Sequence, residues 1–469
     1  MSVRPAAIRV ARAACAALTL FACAMPAAAQ AGAGGLDPAF GAGGFATTAL
    51  DLAAEGLPVE LGVAPDGSAV VSQVGGFTLR FDPEGTPDAA FGEGGKLDVG
   101  QAPAIEERRF FPGDFVVDSE GRLLVFGQET ETQGSIYPGP ITSERLPESW
   151  AVVLRFTPQG RPDPTFGGGR GFIRSGFGLR SRFSRHLPRV TALAGSVDSR
   201  DRPVLVAGVI EVYGGCYAKG GRTMYPRAVV RLTEAGQTDR SFGGGDGLAP
   251  IIGFTRFPGL GIDGRDRPVV GVGSLVHPEP ECRGGTTLVR LREDGRRMWG
   301  FGPRGTQAFK RADQSFVAHS GAIFLADQHR HTLRVTRLRP SGDLDPGFGR
   351  AGTAGVRLPL AVGNHVSPVA ADAQGRVLLA GFLGRDDPFS GTKGPKHPSL
   401  AVARLLPDGR MDPSFGEGGW IITAVPEPLE VTSTAATLDP QGRLLLSALI
   451  TAPDQARGGY LLARYLLGP

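Results

Sequence analysis

The 469-residue sequence is poor in lysine, cysteine and aromatic residues, and past its first thirty residues no apolar run is long enough for a membrane span. Residues 1–29 hold three arginines and no acid, so the 50 basic residues fall to 47, against 46 acidic ones, without that segment. Such a balanced charge gives no broad basic field for nucleic acid. No H-E-x-x-H, G-x-S-x-G or phosphate-loop motif occurs, so the sequence predicts no catalytic residue, metal site or cofactor.

The first 29 residues have the pattern of a bacterial export signal. Arg4, Arg9 and Arg12 precede an apolar run over 13–24, and three alanines stand before Gln30 as a cleavage site. We expect cleavage there and a location in the periplasm, at the cell surface or outside the cell. The alternative is lipoprotein processing with a lipid anchor at Cys23, although Phe21 is an unusual residue at that position.

What the sequence has in quantity is glycine, 71 residues, much of it in a repeated turn motif, Asp-Pro-x-Phe-Gly. Asp accepts backbone N–H bonds two residues on, Pro presets φ, and Gly takes the positive φ that ends the turn. In six copies Asp stands three residues before the Phe, whereas the fifth copy has Met298. The Phe-Gly step occurs seven times, at Phe40, Phe91, Phe166, Phe242, Phe301, Phe348 and Phe415.

Other elements recur in phase with this turn. Each unit has an apolar, β-branched hairpin such as "DSEGRLLVFG" from Asp118, followed by a strand that ends in Arg plus an apolar residue. Units of about four strands with this period, and with no helical periodicity, indicate a seven-bladed, all-β propeller of four-stranded blades. We expect one propeller over residues 30–469, with blades at about 51–100, 101–178, 179–253, 254–310, 311–358, 359–424, and 425–469 plus 36–50.

The combined pattern, "LDPxFGxGG" followed by "DGxxxVAG" and "ARLxPDG", resembles the delta-60 repeat, a bacterial repeat of undetermined function. The resemblance covers essentially the whole chain after residue 29 and implies a β-propeller. The fifth copy, "RRMWGFGPRG" from Arg296, departs from the motif. More distantly, the hairpins resemble NHL-type propeller repeats.

The arginine that ends the strand after each hairpin stands eight residues before the turn Asp in five units, and for Arg464 the matching Asp is expected in the N-terminal turn. We predict a charge-assisted hydrogen bond between them, contributing about 0.2 to 1 kcal/mol if half exposed; the alternative is two independently exposed side chains. Arg290 faces Met298 and so lacks this partner. The predicted pairs are Arg80 with Asp88, Arg155 with Asp163, Arg231 with Asp239, Arg337 with Asp345, Arg404 with Asp412, and Arg464 with Asp37.

Three further groups of residues are candidates for sites. Cys216 and Cys282 occupy matching loops of consecutive units and are predicted to form a disulfide. His329 and His331 alternate, but a solvated turn explains them better than a metal site. An Arg-rich segment would suit phosphate or carboxylate groups, or else is simply a solvated loop. It contains Arg174, Arg180, Arg182, Arg185, His186 and Arg189.

These features favour an exported, monomeric binding or scaffold module for a protein or a cell-envelope glycan. The alternative is a periplasmic hydrolase or lyase with a site at the mouth of the central channel. A third possibility is a structural repeat without any ligand. The expected innermost strands, such as Leu61 to Ala64 and Asp114 to Val117, contain mostly small or apolar residues, which argues against an enzyme.

Deleting residues 31–50 tests the closure of the ring. This segment is expected to supply the outer strand of the seventh blade, so its loss would expose two sheet edges. The deleted chain should melt far below the intact one, as measured by differential scanning calorimetry. Equal melting temperatures would contradict the closure.

Overall fold

The computed structural model describes residues 34–50, 59–73, 77–101, 108–131, 148–179, 190–212, 222–251, 254–273, 286–309, 314–317, 321–329, 331–359, 364–384, 398–426, 429–451 and 458–468. These residues form seven antiparallel sheets of four strands each, arranged as a ring. The predicted seven-bladed β-propeller is therefore confirmed.

In blades 1 to 6 the four strands follow one another outward from the centre in chain order. Blade 1 has β2 (Val59–Val63), β3 (Ala69–Gln73), β4 (Phe77–Phe81) and β5 (Leu97–Asp98). Blade 2 has β6 (Arg108–Val117), β7 (Leu123–Glu131), β8 (Ser149–Phe156) and β9 (Phe172–Ser175). Blade 3 has β10 (Val190–Val197), β11 (Pro203–Val212), β12 (Arg222–Arg231) and β13 (Leu248–Pro250).

Blades 4 to 6 repeat this order. Blade 4 has β14 (Phe254–Ile262), β15 (Pro268–Gly273), β16 (Thr286–Arg290) and β17 (Thr306–Phe309). Blade 5 has β18 (Gln314–Val317), β19 (Ile323–His329), β20 (Thr332–Leu338) and β21 (Thr353–Arg357). Blade 6 has β22 (Asn364–Ala371), β23 (Val377–Leu383), β24 (Ser399–Leu405) and β25 (Trp420–Ala424). Two short 3₁₀ helices, Val99–Gln101 and Pro303–Gly305, follow β5 and precede β17.

Blade 7 is built from both ends of the described chain. Its inner three strands are β26 (Glu430–Leu438), β27 (Leu444–Thr451) and β28 (Gly458–Tyr465), and its outer strand is β1 (Phe45–Leu50). The turn before β1 is also shared, because Gly34 N donates to Leu466 O and Leu466 N donates to Gly35 O, both at 2.9 Å. In the other blades one continuous segment makes this turn, so here two chain ends complete a single structural unit.

The ring is held together by apolar contact between neighbouring sheets. The innermost strands contact one another in sequence from β2 through β26 and back to β2. The described core residues form seven clusters, each shared by two adjacent blades. β23 and β27 are buried along their whole length, because a strand with a blade against each face needs apolar residues in both directions.

In five blades the strand-end arginine holds its own turn, and four of these arginines are buried while Arg337 is partly exposed. Arg155 Nε lies 2.7 Å from Asp163 Oδ2, and its guanidinium lies 4.6 Å from the centroid of the Phe166 ring. Equivalent Nε to carboxylate bonds of 2.7 to 2.8 Å join Arg231 to Asp239, Arg337 to Asp345, Arg404 to Asp412, and Arg464 to Asp37. Arg155, Arg404 and Arg464 are only 1 to 3% exposed, so these are buried pairs and not the half-exposed pairs considered from the sequence.

Two units depart from this geometry. Arg80 Nη1 is 4.0 Å from Asp88, and Arg80 instead donates to Asp66 at 2.7 Å. Arg290, which faces Met298, donates to Asp263 in the first turn of its own blade. Met298 packs on the core cluster that contains Phe301. The arginine therefore finds a carboxylate in every blade, but in two blades its closest carboxylate comes from a different turn.

The same arginines also join each blade to the next. Nη1 of every one donates to a backbone carbonyl in the turn that follows the third strand of the neighbouring blade. The acceptors for Arg80, Arg155, Arg231, Arg290, Arg337, Arg404 and Arg464 are, in that order, Pro158, Glu234, Glu293, Pro340, Pro407, Leu467 and Pro83. Because the last arginine bonds to blade 1, the hydrogen bonds run around the whole ring.

Replacing Asp412 with Asn is expected to destabilise the protein by about 3 kcal/mol, since it leaves a buried guanidinium without its carboxylate. Burial alone would raise the pKa of Asp412, but hydrogen bonds from Ser414 and Arg404 outweigh it and lower the pKa. Urea denaturation at neutral pH measures the loss. Asp88→Asn is the matched control and should cost much less, because Arg80 pairs mainly with Asp66. Equal losses in the two variants would argue against a stabilising role for the arginine clamp, meaning the hydrogen bonds of each strand-end arginine to a carboxylate of its own blade and to a carbonyl of the next blade.

Candidate functional site

The two faces of the disc differ in the regularity of their connections. On one face, here the turn face, five residues separate the first and second strands in every blade, and 14 to 16 separate the third and fourth strands in blades 1 to 6. On the opposite face, here the loop face, the second and third strands are joined by segments of very different length. These are 74–76, 132–148, 213–221, 274–285, 330–331, 384–398 and 452–457.

Two acidic residues lie on the innermost strands of adjacent blades. Glu60 lies on β2 and Asp114 on β6, the innermost strands of adjacent blades. Asp114 Oδ2 accepts a hydrogen bond of 2.8 Å from the backbone N–H of Gly195 on β10. A Cβ atom at Gly195 would lie 2.0 Å from the Phe126 ring, so only glycine permits this close approach. Asp114 thus joins β6 to β10, while Glu60 on β2 accepts a hydrogen bond from the backbone N–H of Phe115 on β6.

Both acids have raised pKa values. Burial raises the pKa of Asp114 to about 6, against opposing hydrogen bonds from the N–H groups of Gly195 and Phe115. Burial is also the main cause that raises the pKa of Glu60 well above its usual value, and the negative charge of Asp114 adds to it. Burial thus favours the protonated form of both acids relative to exposed carboxyl groups, and the two interacting acids titrate as a coupled pair.

Sequence reasoning singled out neither of these residues as a site. It included Asp114 in an inner strand but began the inner strand of blade 1 at Leu61, one residue after Glu60. The available signal was alternation, because Glu60 and Gly62 lie on one side of β2 in the stretch "VELGV". The innermost strands therefore carry two buried acids among the small and apolar residues expected from the sequence.

The Arg-rich segment is only partly among the described residues. Arg174, on β9, lies 3.2 Å from the buried carboxylate of Glu129, and its guanidinium lies 4.7 Å from the centroid of the Trp150 ring. Arg174 is therefore engaged within blade 2. The other five residues, Arg180, Arg182, Arg185, His186 and Arg189, lie outside the described residues.

The remaining candidate residues are the cysteines and the two neighbouring histidines. Cys216, Cys282 and Cys23 lie outside the described residues, so the disulfide stays a prediction. His331 is exposed in the turn after β19, which ends at His329. Within the described ranges, no cluster of three or more His, Cys, Asp or Glu is placed to hold a metal ion. No helix in the described part of the chain is long and apolar enough to cross a membrane.

Comparison with known proteins supports the fold and leaves the function open. A family model described as a domain of unknown function, the DUF5122 beta-propeller, matches residues 398–415. This short segment covers β24 and the turn that contains Asp412. No curated protein matches the chain.

Solved structures are similar only at low identity. A protein of unknown function from Dyadobacter fermentans has 11% identity and a TM-score of 0.40, over 76% of this chain and 96% of that one. Prolyl oligopeptidase B from Galerina marginata has 12% identity and a TM-score of 0.36, over 87% of this chain and 47% of that one. NanB bound to Optactamide has 11% identity and a TM-score of 0.37, over 90% and 68%. Similarities this weak transfer no activity.

Asp114→Asn is expected to stabilise the protein at about pH 7.5 and to change it little at about pH 4. A raised folded-state pKa means that the native protein binds this proton more tightly than the unfolded chain, in which the pKa of Asp is about 3.9. Stability is therefore lost as the pH rises from about 4 through 6. The amide keeps an acceptor for Gly195 and cannot ionise.

Urea denaturation at the two pH values measures this effect. Glu417→Gln, which changes an exposed carboxylate on the turn face, is the control and should leave the pH dependence of the native protein unchanged. If Asp114→Asn kept the full pH dependence of the native chain, Asp114 would not be its source.

Proposed function

We propose that this protein is an exported bacterial binding or scaffold module whose loop face contacts a protein or a cell-envelope glycan. The observation that carries the proposal is the contrast between the two faces. The turn face repeats one geometry around the ring, while the loop-face connections range from two residues to 17. Variable connections on a rigid scaffold are the usual arrangement of a binding surface.

The clamp network explains why the scaffold can tolerate this variation. Arg155, for example, bonds to Asp163 in its own blade and to the carbonyl of Glu234 in the next, and both bonds lie on the turn face. Segments inserted at the opposite ends of the strands leave these bonds untouched. The loop face is thus free to differ from blade to blade without loss of the ring.

The cellular setting belongs to the same proposal. Residues 1–29 have the composition of an export signal, which favours a periplasmic, surface or secreted location. The repeat motif resembles the delta-60 repeat throughout, and we assign the chain to that class as part of this proposal. A monomer is the expected state, since a closed ring leaves no blade incomplete.

The two carboxylates on the innermost strands, Glu60 and Asp114, favour a second candidate, a periplasmic hydrolase or lyase. Glu60 and Asp114 could act as base and acid on a substrate that enters the channel, because burial has raised both pKa values. Catalysis would then be lost in both Glu60→Gln and Asp114→Asn. The binding function predicts that both variants bind their partner as the native protein does.

Co-sedimentation tests the binding function. The processed protein is mixed with purified cell-wall polysaccharide or with an envelope protein fraction, and the bound amount is titrated. In two variants segment 132–148 or 384–398 is replaced by an Asn-Gly turn. We expect at least about tenfold weaker binding, corresponding to about 1.4 kcal/mol, in at least one of them.

The matched control alters the turn face. Asp408 and Arg410 form an exposed ion pair there, so Asp408→Ala with Arg410→Ala should leave binding unchanged. Circular dichroism confirms that each variant keeps its sheet content. Absence of binding by the native protein, or equal binding by both loop variants, would refute the proposed function.

A further inference from the structure

One turn on the turn face carries a large exposed aromatic residue. Trp299 lies between β16 and β17 with 65% of its surface exposed, the highest value among the large hydrophobic residues described. The other two exposed ones are Ile422, on the outer strand of blade 6, and Leu344, in the turn of blade 5. Burial in the core therefore does not explain why this position holds a tryptophan.

The turn does not need tryptophan for its own geometry. Met298 N donates to Arg290 O at 3.0 Å and Phe301 N donates to Met298 O at 2.9 Å, as the matching residues do in the other copies. Phe301 is fully buried, and Met298 packs inward on its cluster. The equivalent positions in the other six copies hold Pro38, Ala89, Pro164, Arg240, Pro346 and Pro413.

A basic side chain accompanies the indole ring. The guanidinium carbon of Arg297 lies 5.6 Å from the centroid of the Trp299 ring. Arg296 is nearby in sequence and pairs with Asp294, at 3.8 Å, with both side chains largely exposed. The turn thus presents one flat apolar ring beside the N–H donors of Arg297. The neighbouring charges of Arg296 and Asp294 balance each other.

The geometry points to a saccharide-binding subsite in which Trp299 stacks on one sugar ring and Arg297 donates to its hydroxyl groups. The face of an aromatic ring carries negative charge, which attracts the polarised C–H groups on the apolar face of a pyranose. A guanidinium has several N–H donors that suit adjacent hydroxyl oxygens. We commit to a neutral sugar of an oligosaccharide or polysaccharide as the ligand.

Other ligand classes fit these residues less well. A protein interface needs a much larger apolar centre than one indole ring. A cationic ligand would be repelled by Arg297, and it usually requires several aromatic rings around it. Single-stranded nucleic acid needs a basic groove that follows its backbone, whereas the chain without residues 1–29 has 47 basic residues (50 less three) and 46 acidic ones.

This subsite is on the turn face and does not depend on the loop-face function proposed above. Trp299→Pro is the informative variant, because four of the six other copies hold proline at this position and the Trp299 N–H donates to no backbone carbonyl among the described residues. The fold should therefore be retained. An equal or slightly higher melting temperature is the expected structural result.

Tryptophan fluorescence provides the binding measurement. The protein has three tryptophans, Trp150, Trp299 and Trp420, and only Trp299 is largely exposed. Chitohexaose, cellohexaose, maltohexaose and mannohexaose are each titrated to about 10 mM, since one stacked ring is expected to give millimolar affinity. We expect at least one of them to shift the emission to shorter wavelength in a saturable way.

Trp299→Pro should abolish binding of that oligosaccharide, and Trp299→Phe should bind it at least about tenfold more weakly than the native protein, the factor that corresponds to about 1.4 kcal/mol. Because those variants lack the indole, their binding is measured by isothermal titration calorimetry. Ile422→Ala, an exposed apolar residue on another blade, is the control and should bind as the native protein does.

Two results would overturn the subsite. One is the absence of any saturable response of the native protein to the four oligosaccharides. The other is binding by a folded Trp299→Pro variant with native affinity. Since Trp299→Pro should not alter loop-dependent co-sedimentation, failure here leaves the loop-face function untouched, and failure there leaves this subsite untouched.

Discussion

The structure depends on one repeated interaction, made by the arginine at the end of the third strand of each blade, which is buried in five of the seven blades. Arg464 shows what this group does, since it bonds to Asp37 at 2.8 Å, lies 4.5 Å from the centroid of the Phe40 ring and donates to the carbonyl of Pro83 in blade 1. A planar fork with several donors can satisfy its own turn and its neighbour at once. Removing a partner is costly because the charge is buried.

The arginine hydrogen bonds that join the blades and the connections that vary in length lie on opposite faces of the disc. The clamp residues lie on the turn face, where the connections are nearly constant in length. On the loop face the connections differ in length from blade to blade. Between the faces, the innermost strands carry Glu60 and Asp114, whose raised pKa values make the stability of the protein depend on pH. The one turn that lost its aspartate, at Met298, is also the turn that exposes Trp299.

Much of the fold was predictable because the repeat expresses local rules seven times. Asp-Pro-x-Phe-Gly predicted the turns, and the constant interval of eight residues indicated which Arg and Asp would meet, as Arg155 and Asp163 do. The interval failed for Arg80, because a carboxylate distant in sequence, Asp66, lies within better reach. The repeat pattern did not indicate Glu60, because a single acid in a short strand has no counterpart in the other units.

By itself the sequence determined the number of blades, the strands within them and the segment that closes the ring, since these follow from turn chemistry and alternation that act over a few residues. Only the tertiary structure decided which charged and apolar side chains are buried. It buried the arginines, brought Glu60 and Asp114 together from separate blades, and left Trp299 in solvent. Burial depends on how neighbouring blades pack, and residues far apart in sequence determine that packing.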